Sequence, residues 1–252
     1  RGHGKPTTGH GGWKNGLFSR RPRREDMNSL ETELDRARDL AVDDLADAIE
    51  SIGFECTRCG GCCTGETRAD GDEPHTATAF PDEIRDLQAA TDREWRDVAR
   101  PMPYGLREGE DGLEGETFEW ALQVDGCGDC TFYDEDPDGT GRCTVHEDRP
   151  LICRTYPFSV ALGGTSQPMG EAVDEEGLVR AHECEGLGRD IDREDAMALA
   201  AALKERAIRE LEEAIAVREA YAPADPDPGT VVVHDSEGPK RSDGSPLNDD
   251  RR

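Results

Sequence analysis

Cys56-Thr57-Arg58-Cys59-Gly60-Gly61-Cys62-Cys63 places four thiols within eight residues. Three of them recur at two-residue intervals, and a tight turn brings each next sulfur back to one side. Gly60 and Gly61 allow the positive φ that such turns need and expose backbone N–H groups to sulfur. The fourth Cys follows the third at once. Adjacent side chains point apart, so Cys62 and Cys63 are expected to serve different ligands or different centres. Spacing of this kind reads as a metal site.

Five more cysteines follow: Cys127, Cys130, Cys143, Cys153 and Cys184. Nine is an odd number, the spacings are short and no export signal is seen. A disulfide framework therefore fits poorly. Cys127-Gly-Asp-Cys130 is ambiguous by itself: a zinc half-site, a redox dithiol, or neither. The dithiol reading needs a helix N-terminus, and this stretch reads as strands and turns. The gap from Cys63 to Cys127 is too long for a simple zinc finger. It suits a folded domain in which a metal ties distant loops together.

Composition limits the rest. Hydrophobic residues are 34% and aromatic residues 5% of the 252, so the core is small for the length. No apolar run approaches the ~20 residues of a membrane span, and no membrane partner is expected. Asp plus Glu is 57 against 30 Lys plus Arg, a net charge of −27. That field repels phosphate backbones, so no nucleic-acid partner is expected either. Lys5, Lys14, Lys204 and Lys240 are the only lysines, and acid is spread along the chain. The pattern is that of a cytoplasmic protein of a high-salt cell, where charge keeps the surface hydrated.

Residues 1–24 contain seven basic residues and no acid. Residues 1–26 are read as a basic disordered extension, or as the product of a mis-called start with Met27 as the true first residue. The metal-binding domain is placed at 27–222. A helix is expected from about Asn28, as cap, to Ser51. Others are expected from Pro81 to Ala90 and from a Thr91–Glu94 capping box to Ala99. A one-turn helix is placed at Pro150–Thr155, and a long helix at Arg193–Tyr221 capped by Asp190 or Asp192. Short strands are expected at His75–Ala79, Phe118–Val124, Phe132–Tyr133, Cys143–Val145 and Phe158–Leu162, with a loop over 105–116. Alanine-rich pairing of the last helix against the first is expected. Residues 223–252 are read as an acidic disordered tail, with Val231–Val233 as one docking strand. The fold class is α+β: a small cysteine-clamped metal-binding domain with short strands and flanking long helices.

Taken together, Cys56 to Cys63, Cys130-Thr-Phe-Tyr, Gly141-Arg-Cys143-Thr-Val-His, Arg149-Pro-Leu-Ile-Cys153-Arg154-Thr-Tyr-Pro-Phe and Glu183-Cys184-Glu-Gly-Leu-Gly resemble the YkgJ family of cysteine-cluster proteins. This is the CxxCxxCC family of zinc- or iron-chelating domains, and the resemblance covers about residues 54–188. It implies the ligand set Cys56, Cys59, Cys62, Cys63, Cys130, Cys143, Cys153 and Cys184. Cys127 is extra to that pattern, and His146 stands where the family usually has Tyr. The resemblance also reaches flagellin lysine methylases that carry the same cluster, so an enzyme is conceivable.

Eight thiols suffice for two four-thiolate centres, either zinc or [4Fe–4S]. The triple spacing is that of the first part of a ferredoxin run, which puts iron–sulfur ahead of zinc. Arg149 and Arg154 flank Cys153 and are candidates to offset the charge of the centre. Among the histidines, His182 stands nearest a cysteine of the set, ahead of His75 and His146. No dinucleotide fingerprint, P-loop, HExxH or GxSxG motif is present. The expected function is metal binding, with an unnamed redox or protein partner, and a structural zinc module as the alternative. A metal-delivery protein with an exposed Cys62–Cys63 pair is the third reading.

Overall fold

The computed structural model describes residues 29–68, 71–110, 112–162, 171–172, 177–224 and 226–247. The extension at residues 1–26 lies outside them. Ser29 caps α1 (Leu30–Asp39), its hydroxyl accepting the N–H of Thr32, where the sequence pointed to Asn28. The single helix expected to Ser51 is two, because the chain turns extended at Leu40 and Ala41 before α2 (Val42–Ile52). Lys204 Nζ donates to the freed Leu40 carbonyl at 2.7 Å.

The middle of the chain is a set of short elements. β1 (Glu66–Arg68) and β2 (Gly71–Glu73) form a hairpin, and β3 (Thr78–Ala79) leads into α3 (Pro81–Thr91). Glu94, with Asp97 three residues on, opens α4 (Trp95–Val98), in place of the expected Thr91–Glu94 box. Thr91 instead ends α3, its hydroxyl donating to Leu87 O at 2.6 Å. β4 (Ala99–Pro101) follows. The expected loop over 105–116 is a hairpin, β5 (Leu106–Gly109) and β6 (Gly112–Thr117). β7 (Trp120–Leu122) pairs with both β3 and β4.

β8 (Tyr133–Glu135) and β9 (Gly141–Cys143) form the next hairpin. α5 (Leu151–Thr155) carries Cys153, then come β10 (Phe158–Val160), β11 (Glu171–Ala172) and β12 (Val179–Ala181), which form one antiparallel sheet. α6 (Arg193–Ala220) is long, and Asp192 caps it by accepting the Asp195 N–H at 2.9 Å.

The C-terminal stretch carries β13 (Val231–Asp235), which contains the docking strand expected at Val231–Val233, and β14 (Gly238–Arg241), where disorder was expected. β13 lies parallel to β6, giving a four-stranded sheet ordered β14-β13-β6-β5. That distant partner pairs with Gly115, Glu116 and Thr117 and so carries β6 beyond its hairpin with β5.

Two apolar cores result. In the first, Leu34, Ala37, Leu45 and Ile49 pack against Ala196, Ala200, Leu203, Ala207 and Leu211, with Phe158 and Val179 from the β10–β12 sheet. This is the pairing of the last helix against the first helical segments that alanine spacing predicted. Small residues let the helices approach. The second core gathers Ile84, Leu87, Trp95, Val98, Trp120, Phe132 and Val233. Cys130 is buried in it, and Cys63, Cys143 and Cys153 pack against it. The architecture is α+β, as the pattern of elements implied.

Candidate metal centre

The loop after α2 is held to the rest of the chain by main-chain hydrogen bonds beside its cysteines. Glu55 N–H donates to Gly186 O at 3.0 Å, and Gly188 N–H to Gly53 O at 3.0 Å. These bonds set Cys56 beside Cys184. A Cβ on Gly186 would run into Glu55 O, so only glycine lets the two strands meet. Gly141 N–H donates to Arg58 O at 2.8 Å, which brings the Cys143 hairpin against the loop. Cys130 N–H donates directly to Cys63 O at 2.8 Å. Within the loop, Arg58 and Gly60 take left-handed φ values of 57° and 79°. Gly60 lies under the Tyr133 ring, where a Cβ would clash.

The loop, the Cys184 turn, the Cys143 hairpin and the Cys130 segment are thus drawn together, and all nine cysteines are free thiols. Cys56, Cys59 and Cys62 are exposed, Cys63, Cys143, Cys153 and Cys184 are half-buried, and Cys130 is buried. Cys62 Sγ and Cys63 Sγ are 3.7 Å apart.

Electrostatics divides the thiols into two groups. The hydrogen bond from Cys62, then burial, then the charges of Cys62, Cys130 and Cys153 push the Cys63 thiol far up. Burial, followed by Cys130 and Cys143, does the same for Cys153. Cys130 is raised to about 11, chiefly by burial and also by Cys143. Cys184 is raised first by burial, then by Cys59, Cys62 and Cys56. One group is therefore Cys63, Cys130, Cys143 and Cys153; the other is Cys56, Cys59 and Cys184. Cys62 touches both, since its charge opposes ionisation of Cys63, Cys130, Cys143, Cys153 and Cys184 alike. The hydrogen bond with Cys63 leads the causes that bring Cys62 down to about 7; its own backbone N–H and Arg149 help.

Three of the thiols share one local device. The backbone N–H two residues on acts on each sulfur and favours its thiolate: Phe132 for Cys130, Val145 for Cys143 and Gly186 for Cys184. The Gly186 bond measures 3.4 Å. Donors aimed at sulfur stabilise the charge a metal-bound thiolate carries.

Arg149 donates from Nε to His146 O at 2.9 Å, and its charge favours the thiolates of Cys62, Cys143 and Cys153. Arg154 is exposed on α5, with no side-chain hydrogen bond or ion pair among the described residues. Cys127 is exposed in the turn whose Asp125 carboxylate accepts its N–H at 2.8 Å. It stands outside both groups. His146 is exposed beside Glu147. The ring of His182 stacks on Tyr156 with centroids 6.0 Å apart, and its buried Nε2 has no partner among the described residues.

Residue spacing did not reveal Tyr133, which braces Gly60, or Tyr156. The Tyr156 hydroxyl donates to Glu183 O at 3.0 Å beside Cys184. Each lies three residues after a cysteine, inside a segment that carries the family resemblance.

Among the described residues, no three His, Cys, Asp or Glu side chains stand at metal-holding distance. The thiols are grouped but not closed around a point. Their chemistry nonetheless fits a thiophilic cation: soft donors, crowded so that each opposes its neighbours' ionisation, with amides aimed at sulfur.

A reduced cysteine cluster of this kind, on a small α+β scaffold, defines a metal-chelating domain. Residues 55–185, just over half of the chain, match the CxxCxxCC family, described as "Putative zinc- or iron-chelating domain", and the chain belongs to that family. Neither the curated proteins nor the solved structures yield a match.

Proposed function

We propose that the chain holds two four-thiolate centres, and that they are iron–sulfur clusters serving electron transfer or a redox reaction. One set is Cys63, Cys130, Cys143 and Cys153. The other is Cys56, Cys59, Cys62 and Cys184, for which Cys62 Sγ turns away from Cys63 Sγ, its neighbour at 3.7 Å in this structure. The observation that carries this reading is the drawing together of each group by main-chain bonds, Cys130 N–H to Cys63 O for one and Glu55 N–H to Gly186 O for the other, with the Gly186 N–H on the Cys184 sulfur. Rotation of thiol side chains between staggered wells is the motion that closes each set.

A cluster held there supplies one-electron chemistry. The chain's own part is electrostatic and steric. Arg149 offsets thiolate charge, the second core keeps water from Cys130, and Tyr133 props the loop. A reducing, salt-rich cytoplasm suits both the free thiols and the acidic surface.

The second reading is structural zinc. Cys130 at 7% exposure favours it, since closed, four-coordinate sites are the habit of structural zinc. Anaerobic purification followed by visible absorption and sulfide analysis separates the two. A brown protein bleached by dithionite, with sulfide matching iron, supports clusters. A colourless zinc protein without sulfide overturns them.

A further inference from the structure

Five residues are too few for a helix to hold itself in water, yet α5 must present Cys153. Both of its ends are held from outside. At the N-terminal end, Glu83 Oε1 accepts the Leu151 N–H at 2.9 Å. The other oxygen, Oε2, accepts the Phe80 N–H at 2.9 Å and so also starts α3. At the C-terminal end, Arg206 Nη1 donates to Thr155 Oγ1 at 3.1 Å and to Phe158 O at 3.2 Å. A carboxylate at the first turn and a guanidinium past the last match the helix dipole.

The contacts close into a ring. Three residues after Arg206, on the same face of α6, Arg209 Nη2 donates to both Asp82 oxygens at 2.6 and 2.7 Å. Its guanidinium lies 4.5 Å from the centre of the Phe80 ring. So α6 holds the end of α5 directly and holds its start through α3 and Glu83. α6 packs in the first core and α3 in the second. The ring is a frame in which the Cys153 helix is set, with Leu151 buried beneath it.

We propose that Glu83 and Arg206 are positioning residues for Cys153, which set its thiol against Cys63, Cys130 and Cys143. A helix beyond the matched residues 55–185 thereby governs a centre inside them. The inference rests on the metal-holding reading above.

The test uses the full chain with Glu83→Ala, Arg206→Ala and, as control, Arg218→Ala, which breaks an α6 contact to Glu31 on α1 and touches nothing on α3 or α5. Two readouts are taken: the iodoacetamide alkylation rate of each cysteine in the metal-free chain, mapped by peptide mass spectrometry, and metal loss to a chelator from the loaded chain. In the first two variants Cys153 is expected to alkylate about tenfold faster, with Cys59 and Cys184 unchanged. Metal is expected to leave about 10–100-fold faster, the usual effect of disturbing a supporting contact. Arg218→Ala should leave both readouts as in wild type.

Unchanged Cys153 reactivity, or an equal rise at every cysteine, overturns the proposal. If Glu83→Ala loses its helical circular dichroism, Glu83→Gln replaces it, keeping the shape and one acceptor. A wild-type chain that takes up no metal overturns the metal reading itself, and the alkylation pattern tells that failure apart.

Discussion

The backbone N–H of Cys130 donates to the carbonyl of Cys63 at 2.8 Å. One main-chain bond thus joins the end of the cysteine-rich loop to the segment carrying the next cysteine of its group. The bond needs no metal. Other bonds of the same kind, Glu55 to Gly186 and Gly141 to Arg58, do the same for Cys184 and Cys143. Metal binding then closes a site whose parts are already near one another. This lowers the ordering cost that a cation must otherwise offset.

Stripping metal should therefore loosen one half of the protein more than the other. The first core, built on α1, α2 and α6, contains no cysteine. Helical circular dichroism should largely survive chelation, while amides of β8 and β9 lose hydrogen-exchange protection. Equal loss of protection across both cores would contradict this.

Gly60→Ala should cost about 1–3 kcal/mol, the range for a residue forced into a sparsely populated backbone region. Its φ is 79° and its new Cβ meets the Tyr133 hydroxyl. Pairing it with Tyr133→Ala removes the clash but not the backbone strain, so rescue should be partial. Urea midpoints measure both.

Acid should destabilise the chain in two windows. Burial, then the Arg100 charge, pushes His75 down from 6.5 to about 4. The unfolded state then binds the proton first, and stability falls as pH drops from 6.5 to 4. The Arg85 bond comes first in bringing Glu237 down from 4.5 to about 2, with Lys240 adding to it. Its contribution is present above 4.5 and lost toward 2. Glu237 is 42% exposed, so that contribution is below about 1 kcal/mol. Thermal midpoints against pH for wild type, His75→Gln and Glu237→Gln should show each window flatten in its own variant.

Salt should stabilise the fold. With a net charge of −27, screening relieves self-repulsion of the compact state. The thermal midpoint should rise with potassium chloride, and a midpoint that falls would contradict the high-salt reading.

The cysteine loop, α6 and the alanine seam were legible because thiol spacing and helical period are local signals. The break at Leu40 was not. It depends on Lys204, far along the chain, receiving the freed carbonyl. The C-terminal hairpin was hidden for a related reason. Lys240 and Asp235 look like solvated charges, yet they pair at 2.8 Å in the interior, and Trp120 Nε1 donates to the same carboxylate at 2.8 Å. Charges neutralised by distant partners defeat a hydropathy reading. Glu83 resembles any acid in a first helical turn, and only the fold shows its second oxygen on α5.

Metal stoichiometry of wild type, Cys63→Ser and Cys184→Ser, each purified anaerobically and assayed for iron, zinc and sulfide, tests the central claim most directly. Two centres in wild type and one in each variant, with the surviving centre differing between them, is the predicted result. A wild-type chain without bound metal, or full occupancy in both variants, would contradict it.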